Sequence, residues 1–268
     1  MSRPDQSITF LRQFGYSVFR VPRLGAQPLD LLHRDGKDMT RLGGTLDLIA
    51  PGNMPVPVIH RDDRPGVAIE GTESSKVNVS IGLNILGGFL GALGGANLGL
   101  QSGFQKAKTI KFKYSAVTED SVDVLSLERF IHAGRISEHV PRGTIDKMID
   151  DEVYVLTSVL KTQKIVLAGQ GETGQNVSLD VPVIQEAVGG NLKVTSEGSV
   201  SSTIAFEGPV AIPFAFQAVR LMFDDSGQFL TTEQLGAGDA AARGRSAPAV
   251  GETERSFLRA PGAFVRMN

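Results

Sequence analysis

The 268-residue chain contains no cysteine, which removes disulfides, thiolate nucleophiles, thiolate metal sites and cysteine lipidation together. A reducing cytoplasm is compatible with that. Neither charge sign dominates: 27 Lys and Arg stand against 29 Asp and Glu, a net charge of -2. A nucleic-acid binder would usually gather a basic excess on one face, so no nucleic-acid partner is expected. The N-terminus, "MSRPDQSITFLRQFGYSVFRVPR", scatters its charges and has no apolar h-region. It is not a secretory signal, and the protein is expected to be made and kept in the cytoplasm. With 41% hydrophobic and 21% charged residues wholesale disorder is excluded, and the length suffices to bury a sizeable core.

Motifs for catalysis are scarce as well. "GQGETG" at Gly169 to Gly174 matches G-x-G-x-x-G after the apolar "KIVLA". The "QNVSLDVPV" that follows alternates with period two where a dinucleotide site needs a helix, so a β-hairpin turn explains the glycines better. "HRD" occurs at His33 to Asp35 and His60 to Asp62, but Thr40 and Val67 stand where a kinase catalytic loop has Asn, and both read as solvated turn charges. The four histidines (His33, His60, His132, His139) have no metal spacing, and surface imidazoles are the default. The pairs Glu119/Asp120 and Asp150/Asp151 are assigned to turns and helix ends. No catalytic residue, cofactor or metal is expected, and the chain is not read as an enzyme.

What is present reads as mostly β with a few short helices. "ITFLRQFGYSVFRVPR" suggests an opening strand or hairpin, and "PLDLLHRDG" and "RLGGTLDLIAPG" are short apolar segments ended by turn residues. In "KVNVSIGLNI" Val77, Val79 and Ile81 face one way, which is strand periodicity, and in "KAKTIKFKYSAV" Ile110, Phe112 and Tyr114 alternate with Lys111 and Lys113. "EDSVDVLSLERFIHAG" turns helical, with Asp120 or Ser121 as cap and Gly134 as its end, and "GTIDKMIDD" is a second short helix. Strands are then expected in "EVYVLTSVLKTQKIVLAG", "QNVSLDVPV", "NLKVTSEGS", "SSTIAFEG" and "AFQAVRLMFDD", with a helical turn in "VIQEAVGG".

One run stands out. From Val77 to Gln105 there is no charged residue. As a transmembrane helix it is long enough, since roughly 20 residues are needed. Eight glycines and the polar Asn78, Asn84, Asn97, Gln101 and Gln105 make it a poor one. As a soluble segment, Leu86, Phe89, Leu90 and Leu93 form one helical stripe able to pack on a sheet. A third reading uses both states. A transmembrane β-strand needs only ~9–11 alternating residues, so Val77 to Ala116 could supply two if its middle unfolds into a hairpin. Glycine tolerates that backbone change, and Lys106, Lys108, Lys111 and Lys113 would suit anionic headgroups or, blandly, a solvated strand face. An isolated hairpin has unpaired edges, so many subunits would have to close one barrel.

Near the C-terminus "TTEQLGAGDAAARGRSAPAVGETE" has the composition of a flexible linker, and "RSFLRAPGAFVRMN" turns apolar again at Phe257, Leu258, Phe264 and Val265. That tail reads equally well as a segment completing the core.

The chain resembles the bacterial gasdermins. The likeness lies in "FGYSVFRVPR", "QPLDLL", "GGTLDLI", "NILGGFLGAL", "IKFKYSAVTEDSV" leading into "LSLERFI", and a short tail after a small-residue linker, in order over most of Ile8 to Asp225. The resemblance implies an α+β fold, a twisted, mainly antiparallel central sheet with peripheral helices, closed by a short C-terminal inhibitory peptide. It implies a pore-forming domain at 1–230, a cleavable linker at 231–250 and the inhibitory peptide at 251–268. A partner protease, often caspase-like, would cut the linker. The body would then leave the cytoplasm for the inner membrane and oligomerise there with lipid into large β-barrel pores that kill the cell during phage defence.

Carried over by position, the membrane hairpins are Val77 to Ala116, with Val77, Val79, Ile81, Leu83, Ile85, Leu86, Phe89, Leu90, Leu93, Ile110, Phe112 and Tyr114 inserting, and a second at Val153 to Phe206. Lys106, Lys108, Lys111 and Lys113 would meet headgroups. Leu235, Asp239, Arg243 and Arg245 mark the cleavage zone, Asp239 for a caspase-type preference and the arginines for a basic one. Phe257, Leu258, Phe264 and Val265 form the plug. Family members commonly carry an acylated cysteine near the N-terminus; "MSRPDQS" has none, so no lipid site is carried over. The alternative class is a soluble mixed β protein that engages a partner through its tail.

Overall fold

The computed structural model describes residues 15–19, 25–35, 38–65, 77–93, 99–188, 192–196, 202–224, 228–234 and 263–265. In chain order they form β1 (Ser17–Val18), β2 (Asp30–Asp35), β3 (Asp38–Gly44), α1 (Thr45–Leu48), β4 (Ile49–Ala50), β5 (Ile59–Pro65) and β6 (Val77–Asn78). Next come α2 (Val79–Ala92), α3 (Leu100–Gly103), β7 (Thr109–Val122), α4 (Val124–Ala133), β8 (Arg135–Ile136), α5 (Arg142–Ile149) and β9 (Val153–Gln170). The chain closes with α6 (Val181–Val188), β10 (Lys193–Ser196), β11 (Thr203–Phe223), β12 (Phe229–Gln234) and β13 (Ala263–Val265). Eleven strands share one sheet, all of its pairings antiparallel, and β4 and β8 form a small second ladder. This is the expected α+β architecture.

Three long strands carry it. β9 lies between β11 on one side and β7 and β2 on the other, because β7 pairs with Ser158 to Gln170 and β2 with Val153 to Val155. In β7 the alternation read from "TIKFKY" is realised: Ile110, Phe112 and Tyr114 are buried, while Lys111 and Lys113 are half-exposed on the other face. β9 is buried along nearly its whole length, as a central strand with both faces covered should be.

The helices cover the two ends of this sheet. At one end α2, α3 and α6 build a core with Ile110, Phe112, Tyr114, Ile165, Leu167, Ile204 and Phe206. At the other, α4 and α5 bring Leu127, Phe130, Ile131 and Met148 against Val153, Val155, Val219 and Leu221. A smaller core on the second face joins Phe19, Leu32, Tyr154, Leu156 and Phe216, with the Phe19 and Phe216 rings 4.8 Å apart.

Several sequence expectations give way here. Val79 and Ile81 are helical, since strand periodicity survives only in Val77–Asn78 before α2 begins. Four of the glycines in the run, Gly82, Gly87, Gly88 and Gly91, are absorbed into that helix, where packing outweighs their poor propensity. The cap of α4 is Asp123, whose carboxylate accepts the Ser126 N–H at 2.7 Å; Asp120 and Ser121 are still in β7. That hydrogen bond also holds the Asp123 pKa below its ordinary value. "QNVSLDVPV" is no strand: Gly171 to Gly174 turn, Gln170 bridges Asn176, and Asp180 then opens α6 by accepting the Val183 N–H. "SSTIAFEG" and "AFQAVRLMFDD" are parts of one 21-residue strand, β11, running through Gly208–Pro209. β12 carries Thr231 to Gln234 as strand paired to β11, so the first four residues of the linker composition belong to the sheet.

Two polar readings change as well. His33 is buried, its ring placed between Lys147 Nζ, 3.2 Å from Nδ1, and Glu152 Oε2, 3.1 Å from Nε2. An ammonium donating to Nδ1 leaves Nε2 to carry the proton that Glu152 accepts. Glu119 and Asp120 sit inside β7 rather than at a turn: Asp120 takes both carboxylate oxygens to Lys161 Nζ at 2.7 Å, and Glu119 accepts from Tyr16 and Ser158. Hydrophobic periodicity reports which face is buried, and long-range partners of polar groups leave no trace in it.

Candidate membrane-inserting site

α2 lies across the sheet face formed by β7. Leu86, Phe89 and Leu90 are fully buried, and Val79, Leu83 and Leu93 pack at the rim of the same core. Under them lie Ile110, Phe112 and Tyr114. Ten of the twelve candidate membrane residues are therefore placed: six in one core, three at its rim, and Val77 in the ladder opposite Ile110. Ile81 and Ile85 belong to α2 by backbone, and their side chains lie outside the described residues. Tyr114 stacks on Phe214, centroids 4.2 Å apart and planes at 13°.

Contact between helix and sheet is set by absent side chains. A Cβ on Gly82 would stand 3.1–3.3 Å from Ile110 and Phe112 atoms, and one on Gly208 would meet Leu93 at 2.5 Å. Gly103 of α3 likewise lies under Ile184 of α6, where a Cβ would come within 2.2 Å. Glycine here permits a close approach that also leaves the helix with little intrinsic reason to stay helical. α2 has no acidic residue in its first turn and no basic residue in its last, so nothing complements its dipole.

Lys106 and Lys108 are exposed, and Lys111 and Lys113 are half-exposed on the face of β7 away from α2. At the far tip of the sheet the cross-strand pair Thr109 and Gln170 holds two buried oxygens, Thr109 Oγ1 and Gln170 Oε1, with no hydrogen-bond partner among the described residues. No helix among the described residues is long and apolar enough to cross a membrane, which says nothing of strands.

The tail reaches the opposite edge. β13 adds to β3 in antiparallel register, Ala263 opposite Thr40, Phe264 opposite Met39 and Val265 opposite Asp38. Phe257 and Leu258 lie outside the described residues, as do Leu235, Asp239, Arg243 and Arg245.

The architecture is an antiparallel sheet flanked by helices, with a glycine-rich helix lying on a strand of alternating lysines and apolar residues. A solved structure of a bacterial gasdermin from Bradyrhizobium tropiciagri matches it with a TM-score of 0.59 at 17% identity, covering 87% of this chain and 92% of that one. The family model described as the Bacterial Gasdermin Family matches residues 19–228. Among curated proteins, a gasdermin of a Desulfuromonadales bacterium is 37% identical over 265 residues, 98% of this chain and 97% of that protein. A gasdermin of Lysobacter enzymogenes is 38% identical over 240 residues, 89% of this chain and 88% of its own length. The chain belongs to the bacterial gasdermin family.

Sequence reasoning missed Gly82, Gly208 and Thr162, which shape the contact between α2 and the sheet and the irregularity described below. The glycines were visible in the sequence, but which of them meets a neighbour depends on packing.

Proposed function

We propose that this protein is a pore-forming effector kept inactive by its own tail. The observation that carries the reading is a segment that is apolar in two geometries. As a helix it buries Leu86, Phe89 and Leu90; as a strand its second half alternates Ile110, Phe112 and Tyr114 with lysines. Its two ends already pair in antiparallel register, Val77 with Ile110 and Asn78 with Thr109, which is how the base of a hairpin would begin. Burying each large apolar side chain is worth roughly 1.5–3 kcal/mol whether the partner is the core or a bilayer. The same residues can therefore stabilise either state, and closure of a barrel by many subunits would satisfy the strand edges.

In this reading residues 1–230 are the pore-forming body, 231–250 the linker, of which the first four residues stay in β12, and 251–268 the lock. A caspase-like protease would cut near Asp239, or a basic-specific one at Arg243 or Arg245; Leu235 lies in the same zone. β13 on the β3 edge, with Phe257 and Leu258 upstream, would hold the body closed until the cut. The freed body would move from cytoplasm to inner membrane, Lys106, Lys108, Lys111 and Lys113 meeting anionic lipid, and assemble into β-barrel pores in antiphage defence.

The absence of cysteine gives a clean test. A Cβ on Gly82 would lie 3.3 Å from the Cβ of Ile110, close to the ~3.5–4.5 Å of disulfides, so Gly82→Cys with Ile110→Cys would staple α2 to β7. A site-specific protease sequence inserted near Asp239 permits cutting. Anionic liposomes should release dye with the cut, reduced protein, and stay sealed with the intact protein and with the cut, oxidised one. If the cut, reduced protein is folded, separated from its tail and leaves several lipid mixtures sealed, the pore reading falls. If the oxidised protein releases dye equally fast, the membrane segment is misplaced.

A further inference from the structure

The three long strands share their largest irregularity at one level, beside smaller register shifts of β11 against β9 between Pro213 and Ala215 and between Gln217 and Ala218. In β7, Ala116 has φ +53°, and burial changes phase there: Ile110, Phe112 and Tyr114 are buried before it and Val117 after it. In β9 at the same level, Thr162 is fully buried. Its hydroxyl lies 2.6 Å from the Ser115 carbonyl oxygen and 2.9 Å from that of Lys164, and accepts the Lys164 N–H at 3.1 Å. A side chain thus performs part of the ladder's work. In β11, Glu207 pairs with Lys164 and Ile212 with Thr162, so four residues, 208–211, stand opposite the single residue Gln163.

Gly208–Pro209 marks this break in the sequence, but the apolar side-chain pattern of β11 continues across it. Ile204, Phe206, Val210, Ile212, Phe214 and Phe216, with Gly208 among them, hold one parity without interruption. That is the pattern of a single straight strand, one face apolar, over 13 residues, more than the ~9–11 a transmembrane strand needs. Pro209 and Pro213 share the other parity, so their missing N–H groups fall on the same edge and the other edge keeps every donor. In β7, straightening at Ala116 would likewise put Ile110, Phe112, Tyr114 and Ala116 on one face and Lys111, Lys113 and Ser115 on the other.

We propose that this seam is the hinge of activation: the sheet beyond Ala116, Thr162 and residues 208–211 swings out with α2 detached, while the part below keeps its fold. This rests on the pore reading. Three surplus residues of β11 are slack that straightening turns into about 10 Å of strand, at ~3.3 Å per residue. Leu93 seated on Gly208 couples α2 to the slack, so helix and bulge release together. The Tyr114–Phe214 stack spans the seam and breaks in the same step. Thr162 is the positioning residue that stabilises the bent form, because in a straight ladder backbone groups would satisfy the Ser115 carbonyl and the Lys164 N–H without it.

Hydrogen exchange on the whole chain tests this, with Thr162→Val, which removes the hydroxyl at nearly constant shape, and Thr162→Ser as rescue. In the intact protein Thr162→Val should speed exchange at 109–115, 164–170 and 203–207 and leave 153–160 and 212–223 unchanged. After cutting, on vesicles containing anionic lipid, the amides of Gly208, Val210 and Ala211 should become protected. Thr162→Val should then release dye about fivefold sooner, the scale set by leaving a buried ladder group unpaired, and Thr162→Ser should match the parent. Equal loosening of both halves, or a 208–211 stretch that stays unprotected on vesicles where dye is released, overturns the hinge. If the cut parent releases no dye, the pore reading fails, and exchange in the intact protein still decides whether the seam divides the sheet.

Discussion

The two ends of the sheet are held by different forces. The α4 end is fastened by directed polar contacts: Asp30 to Arg41 at 2.7 Å, Asp120 to Lys161 at 2.7 Å, Arg220 to Glu233, and His33 between Lys147 and Glu152. Asp30 and Asp120 are themselves buried. The α2 end packs through apolar contact and glycine clearance; an ion pair there, Lys193 with Glu207, spans 3.9 Å between exposed groups and contributes little. Thr109 Oγ1 and Gln170 Oε1, buried with no hydrogen-bond partner among the described residues, burden its tip, each at about 1–3 kcal/mol if no partner reaches it. Burial without directionality can be exchanged for another apolar environment, whereas a paired, desolvated carboxylate cannot leave its partner cheaply. In the proposed activation this contrast would let the α2 end convert while the α4 end stays.

Core truncation should separate them most strongly. Phe112→Ala and Phe130→Ala each empty a fully buried site and should cost about 3–5 kcal/mol. Phe112→Ala should open the α2 end to proteolysis while the α4 end persists, and Phe130→Ala should destabilise the chain as a whole. A single, equal transition for both variants would break the contrast. Next in size is Asp120→Asn, which leaves Lys161 facing a neutral amide in a largely buried site. It should cost about 3 kcal/mol, read by denaturant unfolding, with dye release after cutting hardly accelerated because the contact lies below the seam.

A smaller effect of opposite sign is expected from Gly91→Ala. Gly91 is an exposed residue of α2, and a Cβ there would meet nothing within 4 Å. Alanine should stabilise the helix by about 1 kcal/mol and raise Tm by roughly 2–4 °C. If the helix must unwind to form strand, the cut variant should release dye more slowly than the parent. A faster release would show that α2 enters the membrane as a helix.

How much of this was legible beforehand follows from what periodicity can carry. The β7 alternation, the Leu86–Phe89–Leu90 stripe, and the helices α4, α5 and α6 could be read because each pattern is local and long enough to show its period. The start of α2 is not legible, because Val77, Val79 and Ile81 also fit a strand and only the sheet beneath decides between the two. The continuity of β11 is hidden because Gly208–Pro209 reads as a turn, and only pairing with β9 shows it to be a bulge inside one strand. The polar contacts of Glu119, Asp120 and His33 join residues 39 to 119 positions apart, a separation that leaves no mark in a single sequence.

The smallest effect is a response to pH, at the place where β1 meets the sheet. Tyr16 lies beside β1, its hydroxyl donating to Glu119 at 2.8 Å, with Ser158 donating to the same carboxylate. Burial is the main cause that pushes its pKa up to about 12; the Ser158 hydrogen bond pulls the other way, and the Glu119 charge raises it further. A group whose pKa is raised by folding binds its proton more tightly when folded. Its stabilising contribution is therefore complete below pH 10, the unfolded value, and is lost as pH climbs from 10 toward 12. Between those values the attachment of β1 to β11, through Ser17 and Val18 opposite Phe216 and Ala215, should weaken. Thermal melts at pH 9, 10 and 11 should show Tm falling across the last step in the parent and falling less in Tyr16→Phe, which lacks the proton. An identical fall in both would remove Tyr16 from the set of contacts that fasten the sheet below the seam.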